Sequence, residues 1–182
     1  MGTRGLTKVI YEGNTVVAQY GQWDHYPSGQ GKTVFEFLRG ADNVSKLTNG
    51  IKNHIYVPSE SEYNEIVSTY SNENGMMTME QGDKFNEVYP SLTRDTGAGI
   101  LELIANANGP VPLFLDIEFE NDDLFCEGVY TVNLDDETFT TKYDGKETVI
   151  AFADIYTTGI EDYLVRSGCG VYQYDLANNV SA

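Results

Sequence analysis

Three kinds of residue are scarce in this 182-residue chain, long apolar runs are missing as well, and each shortage closes off a class of protein. There are two cysteines, Cys126 and Cys169, with no CxxC spacing. That is too few for a disulfide-stapled scaffold, and the expectation is two buried free thiols in a reducing compartment. There are two histidines, His25 and His54, and no HExxH, so no zinc ligand set of familiar spacing can be assembled. Eleven basic residues face 28 acidic ones, a net charge of −17, which makes naked nucleic acid a poor partner for the protein as a whole. No apolar run approaches the roughly 20 residues of a transmembrane helix. The start, Met1-Gly-Thr-Arg-Gly-Leu6, lacks the apolar core of a secretory signal. Leu6 stands where a myristoylation site needs Ser or Thr. A cytoplasmic protein is expected.

What is present indicates a folded chain. Hydrophobic residues make up 41% and aromatics 12%, with 13 Tyr among them, well above the range of disordered sequences. The length suits a single domain over residues 1–182. Leu6–Glu12 and Thr15–Tyr20 are rich in β-branched and aromatic residues and are separated by Gly13-Asn14, a hairpin signal. Residues 32–53 read as a helix broken near Gly40. Ile55–Val57 is extended, and Ser59 with Glu62 has capping-box spacing for a helix over 60–70. Three Met between 76 and 79 read as a flap packed on the core, or else as an adaptable contact surface. Helices are expected over 83–89 and 96–106. From Leu113 the apolar period becomes two. Strands are expected over 113–121, 125–133, 138–143 and 148–153, with Asp144-Gly145 as a second hairpin turn, then a last helix over 160–166 and a frayed end over 177–182. The predicted fold is α+β: an antiparallel sheet built from the N-terminal hairpin and a C-terminal meander, with the central helices on one face.

Two stretches carry candidate function. The first is the loop Tyr20–Gly31, which holds the chain's only Trp, one of its His, two Tyr and several turn-forming residues. Trp23, Asp24, Tyr26, Gly29 and Gly31 could form a ligand loop, or the glycines could admit the protein's own body. Gly29-Gln-Gly-Lys-Thr33 is not a phosphate loop, because the position four before Gly31 is Tyr26. Asp24 and His25 could act as an acid–base pair, although neighbours in extended chain point apart. Thr3 would be an N-terminal nucleophile only after an additional cut. The second stretch is the acidic meander over 113–154. Residues 113–163 carry a net −12, against −6 over 51–112 and +1 over 1–50. On a strand, Asp116, Glu118 and Glu120 would share one face at roughly 6.6–6.8 Å intervals. Asp122, Asp123, Asp135, Asp136 and Glu137 sit in the connections, without the spacing of a calcium loop. Such a surface suits a basic, arginine-rich partner. No metal or cofactor is expected.

Met1-Gly-Thr-Arg-Gly-Leu6 followed by Tyr20-Gly-Gln-Trp-Asp-x-Tyr-Pro-Ser-Gly-Gln-Gly31 resembles a family of small phage and bacterial proteins. Length, acidity and this N-terminus are together similar to inhibitors of the type II-A RNA-guided CRISPR nuclease. The resemblance implies a bacterial host cell, stoichiometric binding to that nuclease and a block on its action at target DNA. No catalytic residues come with it. Such nucleases read their PAM with arginines and hold duplexes in positive channels, so an acidic inhibitor is physically sensible. The alternatives are a hydrolase or amidase using Thr3 and the 20–31 loop, and a small-ligand sponge built on Trp23, Tyr26 and the glycine backbone.

Overall fold

In the computed structural model, which describes residues 2–169, the hairpin strands are β1 (Gly5–Tyr11) and β2 (Asn14–Gly21). Their turn is one residue earlier than expected. Glu12 and Gly13 both take positive φ, 52° and 73°, and Tyr11 pairs with Asn14. Two left-handed residues are what the two-residue turn matching strand twist requires. The rest of the sheet comes from the far end of the chain: β5 (Gly128–Asn133), β6 (Thr138–Tyr143) and β7 (Lys146–Ala151). The strand order is β2-β1-β5-β6-β7, antiparallel throughout except where β5 runs parallel to β1. The fold is α+β.

One face of the sheet carries the core. Val9, Val17, Tyr130, Val132, Phe139 and Ile150 pack against the central helices. These are α1 (Lys32–Leu38), α2 (Asn43–Asn53) and α5 (Ile100–Ala105), with Phe35, Leu38, Leu47, Leu101 and Ile104 fully or almost fully buried. The break before α2 is an Asp42 in left-handed conformation, φ 65°. The C-terminal helices α6 (Phe152–Ile155) and α7 (Ile160–Arg166) close the same layer, and Tyr163 stacks on Phe35 with ring centroids 4.7 Å apart.

A looser pair of helices stands apart from this core. Between β3 (Ile55–Tyr56) and β4 (Val111–Pro112), which form a two-stranded parallel sheet, lie α3 (Glu60–Tyr70) and α4 (Met79–Val88). The Ser59–Glu62 capping box forms as expected, and Thr78 with Gln81 makes a second one that starts α4 at Met79. This capping turns Met76 and Met79 off the core and leaves Met77 half-buried. Met76 and Met79 are 61% and 88% exposed, so the packed flap is not what forms. The frayed end expected over 177–182 lies outside the described residues. Among the described residues, no helix is long and apolar enough to cross a membrane.

The expected strand over 113–121 does not form. Leu115 makes one isolated bridge to Ala18 at the sheet's β2 edge, and Ile117–Asn121 then coils into a short 3-10 turn. The cause is topological. The chain leaves β4 beside the β2 edge and must enter β5 on the far side of β1. It therefore passes across the second face of the sheet instead of extending an edge. Residues 116–127 form a strap over that face.

Candidate functional site

Three glycines form one rung across the sheet. Gly5 pairs with both Gly21 and Gly128, and the rung continues to Tyr143 and Lys146. Without side chains there, the sheet offers a flat slot, and His25 fills it. A Cβ on Gly5 or Gly21 would lie well inside 3.0 Å of the imidazole, and one on Gly128 would meet the His25 carbonyl. His25 is completely buried. Its main-chain N–H donates to the Thr3 carbonyl at 3.2 Å, and its carbonyl accepts from the Tyr130 hydroxyl at 2.8 Å. Nδ1 lies 3.0 Å from the Trp23 carbonyl, which can only accept, so Nδ1 carries the proton and Nε2 is left without a partner. Burial lowers the imidazole pKa to about 4, against weaker opposing hydrogen bonds to Trp23 and Thr3.

The rest of the 20–31 loop is locked in the same manner. Asp24 takes φ 59° and points its carboxylate at the Tyr26 hydroxyl, 3.1 Å away, rather than at His25. The acid–base pairing of Asp24 and His25 is therefore not made. Gln30 bridges the loop to α5's approach, donating to the Trp23 carbonyl and accepting from the Ala98 N–H at 2.8 Å. Gly29 presses on the Asp24 carbonyl, and Gly31 on the Tyr130 and Tyr163 rings. What these glycines admit is the protein's own body. Trp23 is the loop's large side chain that stays partly in solvent. It is 47% exposed, with its indole N–H on Asp95 at 3.0 Å.

The acidic residues separate into three settings. On the strap, Glu120 turns inward and is held by Lys8 and, at 3.4 Å, by Lys142. Partial burial works to raise its pKa, but the two lysines outweigh this and keep the carboxyl below its ordinary value. Phe119 packs edge-on against Tyr20, while Asp116 and Glu118 face solvent. The predicted row of Asp116, Glu118 and Glu120 on one face is therefore broken by the 3-10 turn. Asp122 caps the next turn, accepting from the Leu124 and Phe125 N–H groups. Asp135, Asp136 and Glu137 lie at the opposite end of the sheet, a strand length or roughly 20 Å away. There Asp135 accepts from the N–H groups of Glu12 and Gly13, both at 2.8 Å. Asp136 accepts from the Asn133 side chain, and Glu137 is a left-handed turn residue.

The third setting is a groove beyond the glycine rung, between the end of the strap and the β6–β7 turn. Two contiguous hollows of about 300 and 500 Å³ share Cys126, Glu127, Tyr143, Asp144 and Gly145. Glu120, Asp123 and Glu147 complete the acid lining, with Lys142 and Lys146 beside them. Lys142 is already engaged by Glu120 and Glu147, and Lys146 reaches the Val165 carbonyl. Of the predicted acids, the groove brings together only Glu120 and Asp123. Sequence reasoning misses Glu127, Asp144 and Glu147 as site residues, although it places Asp144 in the second hairpin turn. Cys126 and Cys169 are half-buried rather than buried. Burial, then the Glu120 and Asp122 carboxylates, push the Cys126 thiol up to about 11, so it stays protonated. Among the described residues, no three His, Cys, Asp or Glu side chains converge in a way that could hold a metal ion.

No protein-family model matches the chain, and neither does any curated protein or solved structure.

Proposed function

We propose that the protein is a stoichiometric binding protein, an inhibitor of a type II RNA-guided CRISPR nuclease, which presents the acidic groove beyond the glycine rung to an arginine-rich surface of its target. The observation that carries the reading is the imbalance of charge in residues 113–163. Among the described residues, the only carboxylates of this stretch within 4.0 Å of a cation are Glu120, Glu147 and Asp162. Asp123, Glu127 and Asp144 stand exposed around the groove with no cation of their own. A concave surface of one sign focuses the field and speeds encounter with the opposite sign, while desolvated pairs set residence time. The state of the chain's potential catalytic groups favours binding over bond-breaking: His25 is sealed and neutral, and the Cys126 thiol is held protonated. Among the described residues, Thr3, Arg4, Trp23 and Asp24 are not part of the acidic groove's lining. The nuclease as target rests on the resemblance of the N-terminal forty residues.

The test is capture of the nuclease, with and without guide RNA, followed by titration of its cleavage activity. The expected result is inhibition that stops once nuclease outnumbers the protein, with affinity falling about tenfold or more from low to high salt. Turnover-like inhibition at sub-stoichiometric amounts, or salt-independent capture, would sink the proposal.

A further inference from the structure

Charge does not account for the groove's rim. Two large apolar side chains stand in solvent between its lining residues Asp123 and Cys126, Leu124 at 75% exposure and Phe125 at 44%, and Trp23, 47% exposed, lies further along the N-terminal segment. The N-terminal segment joins Trp23 and Phe125. Gly2 lies flat on the Trp23 indole, so closely that a Cβ would enter the ring. Two residues on, the Arg4 guanidinium sits 4.8 Å from the centre of the Phe125 ring. Arg4 and Glu127 are then bonded twice. The Arg4 N–H donates to the Glu127 carboxylate at 3.3 Å, and the Glu127 N–H donates to the Arg4 carbonyl at 2.9 Å. Glu127 lines both hollows of the groove. Trp23, Arg4, Phe125 and Glu127 thus run as a strip into the acidic lining. A single exposed apolar residue needs no explanation. A row of them on hydrogen-bonded backbone, opening into a charged cleft, has the composition of an interface: rigid aromatic anchors inside a polar rim.

We infer that this end of the sheet docks a basic amphipathic protein segment. Arginine or lysine side chains of the segment enter the groove between Glu127 and Asp144, and bulky apolar side chains of the same segment cover Leu124 and Phe125. The inference deepens the proposed function and rests on its reading of the groove as the contact site. Charge complementarity selects the occupant. An RNA, an anionic membrane or a second copy of this chain would each bring negative charge to Asp123, Glu127 and Asp144.

Trp23 is the only tryptophan in the chain, so its emission reports on this end of the molecule directly. The intact protein is titrated with a short synthetic peptide alternating Arg and Leu, with its Arg-to-Gln version and with its Leu-to-Ser version. The parent peptide should change Trp23 emission saturably, and each altered peptide should bind about tenfold more weakly or worse. Leu124→Asn and Phe125→Ala should weaken the parent peptide to a similar degree. Leu124 is mostly exposed, so Leu124→Asn should unfold at the wild-type temperature. Equal binding of the Leu-to-Ser peptide, no emission change with the parent, or the same change with an RNA oligomer or anionic vesicles would overturn the inference. The two readings fail separately. A nuclease captured equally by wild type and Leu124→Asn removes the apolar anchors and leaves the inhibitor. A peptide that binds while the nuclease is not captured removes the nuclease and leaves the anchors.

Discussion

The two ends of the sheet use the same acidic residues to opposite purpose. At the hairpin-turn end, Asp135 sits over two free N–H groups of the Glu12–Gly13 turn and satisfies both. At the glycine-rung end, Asp123 and Asp144 line a cleft with no cation paired to them. Sequence composition gives both ends as one acidic meander. The difference is made by what lies next to each carboxylate: unpaired backbone donors at one end, and at the other a rung of glycines whose own polar groups are used internally. A carboxylate with both oxygens taken by backbone donors, as on Asp135, is a structural brace; one with an oxygen left over, as on Glu127, Asp123 and Asp144, is available to a partner molecule.

The sharpest way to break the comparison is to fill the glycine rung. Gly128→Ala would put a Cβ against the His25 carbonyl, a backbone atom that can yield only if the 20–31 loop moves with it. The cost should be about 3 kcal/mol or more, read as a loss in urea-unfolding midpoint, and Trp23 emission should report a displaced loop. Alanine at Gly13 has open space around it but a positive φ of 73° to maintain, and should cost about 1 kcal/mol. Equal effects at the two glycines would mean that the rung is not a packing device.

His25 gives a pH signature that only the rung end can produce. Its folded pKa of about 4 lies below the unfolded value of 6.5, so the unfolded state binds the proton more readily between those values. Stability is therefore fully present above pH 6.5 and falls as the pH drops toward 4, by about 3 kcal/mol in total. Unfolding free energies measured at pH 7.5 and pH 4.5 should differ by most of that amount, superimposed on the titration of the carboxylates. His25→Gln should lose the histidine part of the slope while keeping an amide that can reach the Trp23 carbonyl. An unchanged slope in that variant would show that the imidazole is not what titrates.

Much of this was legible in the sequence. The hairpin, the Ser59 capping box, the apolar run after Gly97 and the Asp144-Gly145 turn are local signals, and the structure honours each. The strap was not legible, because Leu113–Phe119 alternates as well as any strand. Only the position of β5 beyond β1 denies it an edge to extend. The site was half legible. Tyr20–Gly31 does hold a tightly constrained segment, but His25 and the main-chain groups around it are bonded within the protein. The residues that face outward, Glu127 and Asp144, are single acids beside a strand start and in a turn. The signal that could have located them is glycine. Gly5, Gly21 and Gly128 sit at strand ends where β-branched residues are favoured, which marks a close approach across a sheet.

The finest division between the two ends is a pair of substitutions that look alike on paper. Asp135→Ala removes an acceptor shared by two backbone N–H groups and should lower stability by about 1–2 kcal/mol, while leaving salt-dependent association with a basic partner unchanged, because its charge lies at the far end. Asp144→Asn keeps a residue that tolerates the left-handed φ of 49° and removes one charge from the groove lining. It should shift stability by no more than about 0.5 kcal/mol and weaken association measurably at low salt, with the difference fading at high salt. Chemical denaturation and a salt series on both variants check the pair together. Were Asp135→Ala to weaken association as much as Asp144→Asn, net charge rather than the groove would be setting affinity, and the distinction between the ends would be structural only.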